Sequence, residues 1–390
     1  MYEGRLIFAQ IIDFLPRDIF DGCVKRHRGN HNNKGFTCRD QFLAMAYAQL
    51  VRLDGLRGIE ETLNVNCHCL YHMGFRCGSL SKSTLAHANK TRSWKIYAEL
   101  AQHLMRKAQK LYAKEKLVVD VDARIFALDS TTIDLCLERF SWALFRKTKG
   151  AVKMHVLLDL RGNIPDFIVI SDGKTHDVNI LDKVDYIPGA FYIFDRAYVD
   201  YKRLFRLNQS GAFFVTRAKR RMRFKVVESR PVEKDSGVLC DQTIRLTGTT
   251  SAKDYPDHLR RIKYRDPETG KVLVFLTNNF LLPAKVIAEL YKQRWQVELF
   301  FKWIKQHLRI KAFYGYSENA VRTQLWIAVA VYCLLAIIKK ELKADRELHE
   351  IQEILSVSIF QNMPVLQAFS RARQKSGDPG EPKHPTLFDL

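Results

Sequence analysis

Residues 123–137, ARIFALDSTTIDLCL, mark the point where the chain changes period. Before them, apolar residues recur every three or four positions. From about residue 121 the spacing falls to two, as in a strand whose side chains alternate between two faces. An apolar run leads into Asp129 in mid-strand. A buried carboxylate is costly unless a cation, a metal or hydrogen-bond donors face it.

The strand period continues downstream. AVKMHVLLDL (151–160) and NIPDFIVISDG (163–173) read as strands joined by a Gly-Asn turn. DVNILDKV (177–184) reads as a short helix, and AFYIFDRAY (190–198) as a buried strand running to Asp195. VDYKRLFRLNQSG (199–211) reads as a helix closed by Gly211. From residue 212 to about 275 apolar and charged residues alternate, the pattern of antiparallel strands with one wet face. KVLVFLTNN (271–279) is again fully apolar at its centre. The pattern predicts an α/β core interrupted by a β-rich insertion that lies outside the core sheet.

ELYKQRWQVELFFKWIKQHL (289–308) has no Pro or Gly and reads as one helix. At 100° per residue, Tyr291, Arg294, Glu298 and Lys305 fall within an arc of roughly 60°. They form a polar stripe between two apolar flanks. Glu298 in that setting is either an intrahelical salt bridge, worth a few tenths of a kcal/mol, or part of a site. Asp129 and Asp195 have equally plain readings, as a strand-end cap near Ser130 and as a partner of Arg196. Asp134 and Asp159 also lie on strands, and spacing alone does not separate them from the other acids. If the stripe is an exposed helical pair, truncating Arg294 or Lys305 costs well under about 1 kcal/mol.

The flanks of this core are helical. Residues 1–120 carry helix-period segments at 38–64, with a Gly break inside, and at 79–116, where Ser81 or Ser83 is the predicted N-cap of a long basic run. Basic helices with Ser/Thr-rich starts suit a DNA-binding module, since helix N-termini and cations both meet phosphate. Residues 321–373 read as a helical C-terminal region and 374–390 as a Pro/Gly-rich disordered tail.

Composition narrows the partners. The 390-residue chain has a formal net charge of +21 and a pI near 9.6, which favours a polyanion. The longest apolar run, WIAVAVYCLLAII (326–338), is 13 residues, short of the roughly 20 that span a bilayer. It is expected to be a buried helix. The N-terminus lacks a secretory pattern, and eight scattered cysteines suit a reducing cytoplasm. Cys67, Cys69, His72 and Cys77 cluster, but zinc sites space their first ligand pair by two to four residues and here one residue intervenes. A thiol-rich helix end is the plainer reading.

Taken together, FALDSTT, YIFDRAY and YKQRWQVELFFKWIK resemble the three catalytic blocks of DDE transposases of the insertion-sequence-4 family. That family's signature is Tyr, two residues, Arg, three residues, Glu, six residues, Lys. It is matched without a gap by Tyr291, Arg294, Glu298 and Lys305. The resemblance implies an RNase H-like core (121–320) with its insertion at about 212–275. It also implies catalytic Asp129, Asp195 and Glu298 holding Mg²⁺ ions, two of them, with Mn²⁺ as a substitute. Tyr291, Arg294 and Lys305 would grip the DNA end, and Tyr198 would be a support residue.

The implied activity is cut-and-paste transposition. The partners are double-stranded DNA, as terminal inverted repeats and target, and a second copy of the chain in a synaptic homodimer, through residues 324–342 unless that helix is core. The implied location is the bacterial cytoplasm, at the nucleoid, with no membrane. The alternatives are an RNase H-like nuclease without strand transfer and a silent DNA-binding protein. Well-studied relatives stack a flipped base on a Trp of the insertion. This insertion has none, and Phe213, Phe214, Phe224, Tyr255 and Tyr264 are its candidates.

Overall fold

The computed structural model describes residues 4–31, 33, 35–146, 149–233, 236–308, 310 and 312–370. The predicted tail, 374–390, lies outside the described residues. In chain order, seven helices come first: α1 (Ile7–Ile12), α2 (Arg17–Arg26), α3 (Cys38–Val51), α4 (Leu56–Val65), α5 (Cys67–Leu70), α6 (Lys82–Thr91) and α7 (Lys95–Tyr112). Strands follow: β1 (Ile125–Leu135), β2 (Leu144–Arg146), β3 (Lys149–Asp159), β4 (Ile164–Asp172) and β5 (Phe191–Phe194). Helix α8 (Tyr201–Gln209) leads to β6 (Phe213–Arg217), β7 (Phe224–Arg230) and β8 (Val238–Leu246). Then come α9 (Thr249–Asp254), β9 (Leu259–Arg265), β10 (Val272–Thr277), α10 (Ala284–Lys292) and α11 (Trp295–His307). The described chain closes with α12 (Glu318–Glu341), α13 (Leu348–Ser358) and α14 (Val365–Ser370).

The chain divides into two compact units. The first comprises 1–113, 132–152 and 300–377, and is mainly helical. Its central element is α12, which packs against α7, α3, α6 and α13. Tyr112 Oη donates to the Ala336 carbonyl at 2.9 Å. At 24 residues α12 is longer than its apolar run, and by length and composition it could cross a membrane. Within its own unit it is covered instead: Leu325 through Ile338 are each 4% exposed or less. That burial matches the second of the two readings of 324–342, a helix of the intramolecular core. The long basic run predicted at 79–116 is two helices. Ser81 caps α6, and α6 stops at Arg92, whose φ/ψ is extended.

The second unit comprises 114–131 and 153–299 among the described residues. It is built on a sheet with the strand order β3-β1-β5-β6-β10-β9-β8-β7, with β4 on β3. Strand β1 pairs β5 in parallel, and β5 pairs β6 in parallel, with α8 as the crossover. The core strands lack alternation because both faces are covered. Phe126, Leu128, Tyr192, Phe194 and Phe214 pack on one side with Leu204 and Leu207 of α8. Ile125, Phe191, Ile193, Val215 and Phe275 pack on the other with Ile287 and Leu290 of α10. Gly162 and Asn163, in the turn between β3 and β4, both hold positive φ, 74° and 55°, a conformation that Gly and Asn adopt more readily than other residues.

The core is RNase H-like, and the insertion is β-rich as expected. Its placement differs. Strand β10 pairs antiparallel with β6, Phe275 opposite Arg217 and Thr277 opposite Val215. The strands from β7 to β10 therefore extend the core sheet rather than standing outside it. The apolar character of VLVFL is what an interior strand of that longer sheet needs. The six-residue helix α9 also falls within the stretch expected to be β-rich, where no helix is predicted.

Candidate active site

The site is built where the pairing of β1 with β5 ends, in the middle of β1 and at the carboxyl end of β5. Their register pairs Leu128 with Phe194. Asp129 and Asp195 each follow this last pair, so two parallel neighbours deliver the two acids side by side beyond the carboxyl end of β5, the side on which open α/β sheets commonly bind ligands. Asp129 Oδ1 accepts from the Ser130 amide at 2.8 Å. Asp195 Oδ1 accepts from the Arg196 amide at 2.6 Å and caps the short 3-10 turn Arg196–Tyr198.

The predicted single helix at 289–308 is two. Between α10 and α11 the amides of Gln293, Arg294, Gln296 and Val297 bond to carbonyls three residues back. Such a turn advances about 120° per residue, so residues three apart eclipse: Tyr291 stays beside Arg294 and Arg294 pairs with Glu298, and this part of the polar stripe survives the break. Tyr291, on α10, is 5% exposed, with its ring 4.9 Å from that of Phe275. Burial pushes its hydroxyl up to about 12, with Arg294 and Arg217 opposing and Asp195 adding. Lys305 lies on α11 in the first unit, where its Nζ donates to the Thr132 carbonyl at 3.3 Å.

Arg294 ties the acids together. Its Nη1 donates to Asp129 Oδ2 at 2.8 Å and its Nη2 pairs with Glu298 Oε1 at 2.6 Å. Its side chain is 13% exposed and those of the two acids 19% and 20%. The pair expected to be an exposed helical bridge is thus a largely covered carboxylate–guanidinium–carboxylate arrangement. Even so, burial lifts the Asp129 carboxyl to about 6. Arg294 and the Ser130 amide hold it down, while the charges of Glu298 and Asp195 raise it further. Arg294 is pushed up: burial opposes its charge, but Tyr291, Asp129 and Glu298 outweigh it.

Three carboxylates are hard oxygen donors of the kind that hold Mg²⁺, so the donor set fits a divalent cation. Among the described residues, no three acids, histidines or cysteines are grouped as a ready metal site. The Arg294 guanidinium stands between Asp129 and Glu298, where positive charge is needed.

Other sequence candidates separate cleanly. Asp159 is buried against Arg124 at 2.7 Å, and the following Leu160 amide bonds to the Ile125 carbonyl, at the amino end of β1, away from Asp129. Asp134 is exposed. Tyr198 is buried against Phe194, ring centroids 6.1 Å apart, a packing position as expected. Phe214 and Tyr255 are fully buried in the sheet core, so neither presents a face to a base.

Sequence reasoning missed a second polar cluster on β3. Lys153 Nζ bonds to Asp177 Oδ1 at 3.1 Å. The fully buried His155 places Nε2 2.9 Å from Ser171 Oγ and Nδ1 3.7 Å from Asp177. Burial holds this imidazole down at about 4. The signal was present: Lys153 and His155 are two apart on an otherwise apolar strand, hence on one face.

Known proteins resemble this chain along most of its length. The family described as "Transposase DDE domain" matches residues 120–334, and a "Domain of unknown function (DUF4372)" matches 3–76. A putative transposase, y4zB, of Sinorhizobium fredii is 37% identical over 261 residues, 65% of this chain and 70% of that protein. A probable transposase for insertion sequence element IS5377 of Geobacillus stearothermophilus is 33% identical over 210 residues, 53% of this chain and 55% of that one. Among solved structures, a piggyBac transposase synaptic complex with hairpin DNA aligns at TM-score 0.45 and 11% identity, over 94% of this chain and 80% of that one.

Proposed function

Because the chain belongs to the transposase DDE-domain family, we propose that Asp129, Asp195 and Glu298 are its catalytic carboxylates and that Tyr291, Arg294 and Lys305 serve the DNA end. The protein is a DNA transposase of the bacterial insertion-sequence type, and domains of this family depend on divalent cations. The finer reading is a member of the insertion-sequence-4 group that holds two Mg²⁺ ions, or Mn²⁺ in their place. Its substrates are terminal inverted repeats and target DNA. It works as a homodimer, at the nucleoid in the cytoplasm.

One observation supports the assignment above the rest. Asp129 and Asp195 follow the last paired residues of two adjacent parallel strands, and Glu298 reaches Asp129 through a shared guanidinium. Asp129, Asp195 and Glu298 would hold a divalent cation there, and the chemistry it would supply is activation of a water or a 3′-hydroxyl and stabilisation of the leaving oxygen. The Arg196 amide holds Asp195 Oδ1 at 2.6 Å and so restrains the orientation of this carboxylate. Arg294 neutralises Asp129 and Glu298, and its planar fork also suits two phosphate oxygens. It therefore has two kinds of anionic partner. Tyr291 acts from below, packing on Phe275 and fixing the turn that carries Arg294.

Asp129→Asn tests the assignment. The variant is expected to bind duplex DNA as the parent does and to lose cleavage by more than about 10²-fold, since even outer-shell partners of a metal are worth 10–100-fold. Cleavage at the parental rate would remove Asp129 from the site. Joining of pre-cleaved ends to a target plasmid separates transposase from nuclease: cutting without joining would favour the nuclease.

A further inference from the structure

The first unit carries a groove of about 790 Å³, lined by His27, Arg28, His31, Thr84, His87 and Thr91 among others. We propose that this groove seats the phosphate backbone of duplex DNA, which would give the N-terminal domain of unknown function a DNA-holding role. The proposal rests on the transposase reading only for its choice of DNA as the polyanion.

Charge is the first argument. The lining holds two arginines and three histidines and not one carboxylate. The nearby acid, Glu99, is already engaged: it accepts from Arg26 at 2.6 Å and bonds His27 at 2.7 Å. Arg92 is turned inward, donating to the carbonyls of Phe36 and Thr37, so it braces the wall. Arg28, His31 and His87 are exposed. On α6, Thr84, His87 and Thr91 recur at gaps of three and four, which places them on one helix face. Thr91 Oγ1 donates to the His87 carbonyl at 2.8 Å, which leaves the Thr84 hydroxyl and the His87 ring as side-chain groups of the kind that contact phosphate oxygens.

The second argument is local. Helix α2 ends in a Schellman motif: the Gly29 amide bonds to the Val24 carbonyl at 2.9 Å and the Arg28 amide to that of Lys25 at 3.2 Å. The residue in the left-handed position of that motif is usually glycine. Here it is Arg28, at φ 49°. The next residue, Gly29, is closely packed: a Cβ there would lie 2.5 Å from Ile96 Cδ1 and 2.6 Å from Cys38 Sγ, and one of those side chains would have to shift. The turn is thus pinned between α7 and α3, and an arginine is held at the groove in a conformation that disfavours it. An unfavourable backbone state at an exposed cation points to use of the side chain.

The floor is also fixed. Asn319 Nδ2 donates to the carbonyls of Asn89 and Arg92 at 2.9 and 2.6 Å, and the Trp94 amide donates to its Oδ1 at 3.3 Å. The turn between α6 and α7 is therefore anchored on α12, and the groove keeps its shape without a ligand.

The test uses the full chain in the cleavage-silent Asp129→Asn form, so that binding is read apart from chemistry. Fluorescence anisotropy follows a random-sequence 30-bp DNA duplex at several salt concentrations. Arg28→Gly relieves the left-handed strain, so its melting temperature should equal or exceed the parent's while Kd rises about fivefold. The slope of log affinity against log salt should fall by about 0.9, the share of one phosphate. Adding His87→Gln should bring the loss past tenfold. An unchanged Kd and slope in the doubly substituted chain would overturn the proposal. So would an equal or tighter parental affinity for a 30-bp RNA duplex that the same substitutions abolish. Failure of the catalytic reading would show elsewhere, as Asp129→Asn protein that still cuts.

Discussion

Replacing Arg294 by Gln removes the one guanidinium shared by Asp129 and Glu298 and keeps a side chain of similar length. The exposure of all three side chains, 13%, 19% and 20%, places the group nearer a buried ion pair than a surface one. Removing one partner of a buried pair costs about 3–5 kcal/mol, because the other charge is left uncompensated. Residual solvent access moves the expectation to the low end, about 3 kcal/mol for the metal-free protein at pH 8. Asp129 offers an escape, since its carboxyl already stands at about 6 with Arg294 in place. At pH 5 it protonates, one of the two orphaned charges disappears, and the cost should shrink to about 1 kcal/mol. Thermal melting in chelator at pH 8 and pH 5 measures the difference. Added Mg²⁺ should then restore more of the melting temperature in Arg294→Gln than in the parent, where the incoming cation must compete with the guanidinium. A variant that melts with the parent at pH 8, or one penalised equally at both pH values, would refute the reasoning.

Two buried groups should pull acid stability in opposite directions. Asp129 is raised from 3.8 to about 6, so its contribution is complete below 3.8 and is lost as pH rises through 6. His155 is lowered from 6.5 to about 4, so its contribution is complete above 6.5 and is lost as pH falls through 4. Each is worth about 3 kcal/mol at 1.36 kcal/mol per pH unit, and between pH 4 and 6 they nearly cancel. Relative to the parent, Asp129→Asn should make stability climb more steeply with pH in that window and His155→Asn should make it fall, as read by denaturant titration in chelator. DNA binding should weaken steeply with salt, at about −0.9 in log affinity per log salt for each phosphate neutralised; a flat dependence would contradict a phosphate-gripping surface.

The acids were legible in the sequence because a strand period is two and a parallel pair needs apolar residues on both faces. FALD and YIFD each announce a buried apolar strand segment leading into a carboxylate, and the observed register puts those two acids side by side. The break between α10 and α11 was not legible. Gln293 and Arg294 are good helix formers, and the switch to three-residue hydrogen bonds is a matter of a few tenths of an ångström in tertiary packing. The covered state of Arg294 was equally hidden, because spacing along one helix does not report that Asp129 of β1 lies against it. The joining of the insertion to the core sheet was unreadable for a different reason: alternation reports that a strand has a wet face, not which strand lies beside it. Arg28 was invisible because nothing in RHRGN says which residue takes positive φ, and Gly29 was the better candidate.

The seam between β6 and β10 limits how this protein can be cut. Thr277 Oγ1 donates to the Phe214 carbonyl at 2.5 Å, and Asn278 both accepts from the Phe214 amide and donates to the Ala212 carbonyl, each at 2.9 Å. Excising residues 218–277 would therefore strip β6 of its neighbour and leave an apolar strand with a bare row of amides and carbonyls, the template on which chains stack into aggregates. The present outer border is β7, where Lys225, Glu228 and Ser229 are exposed beside Val226 and Val227, and charge there discourages such stacking. A minimal catalytic fragment should thus keep the whole run to β10, and a graft of a foreign insertion should bring its own strand to dock on Phe213–Arg217.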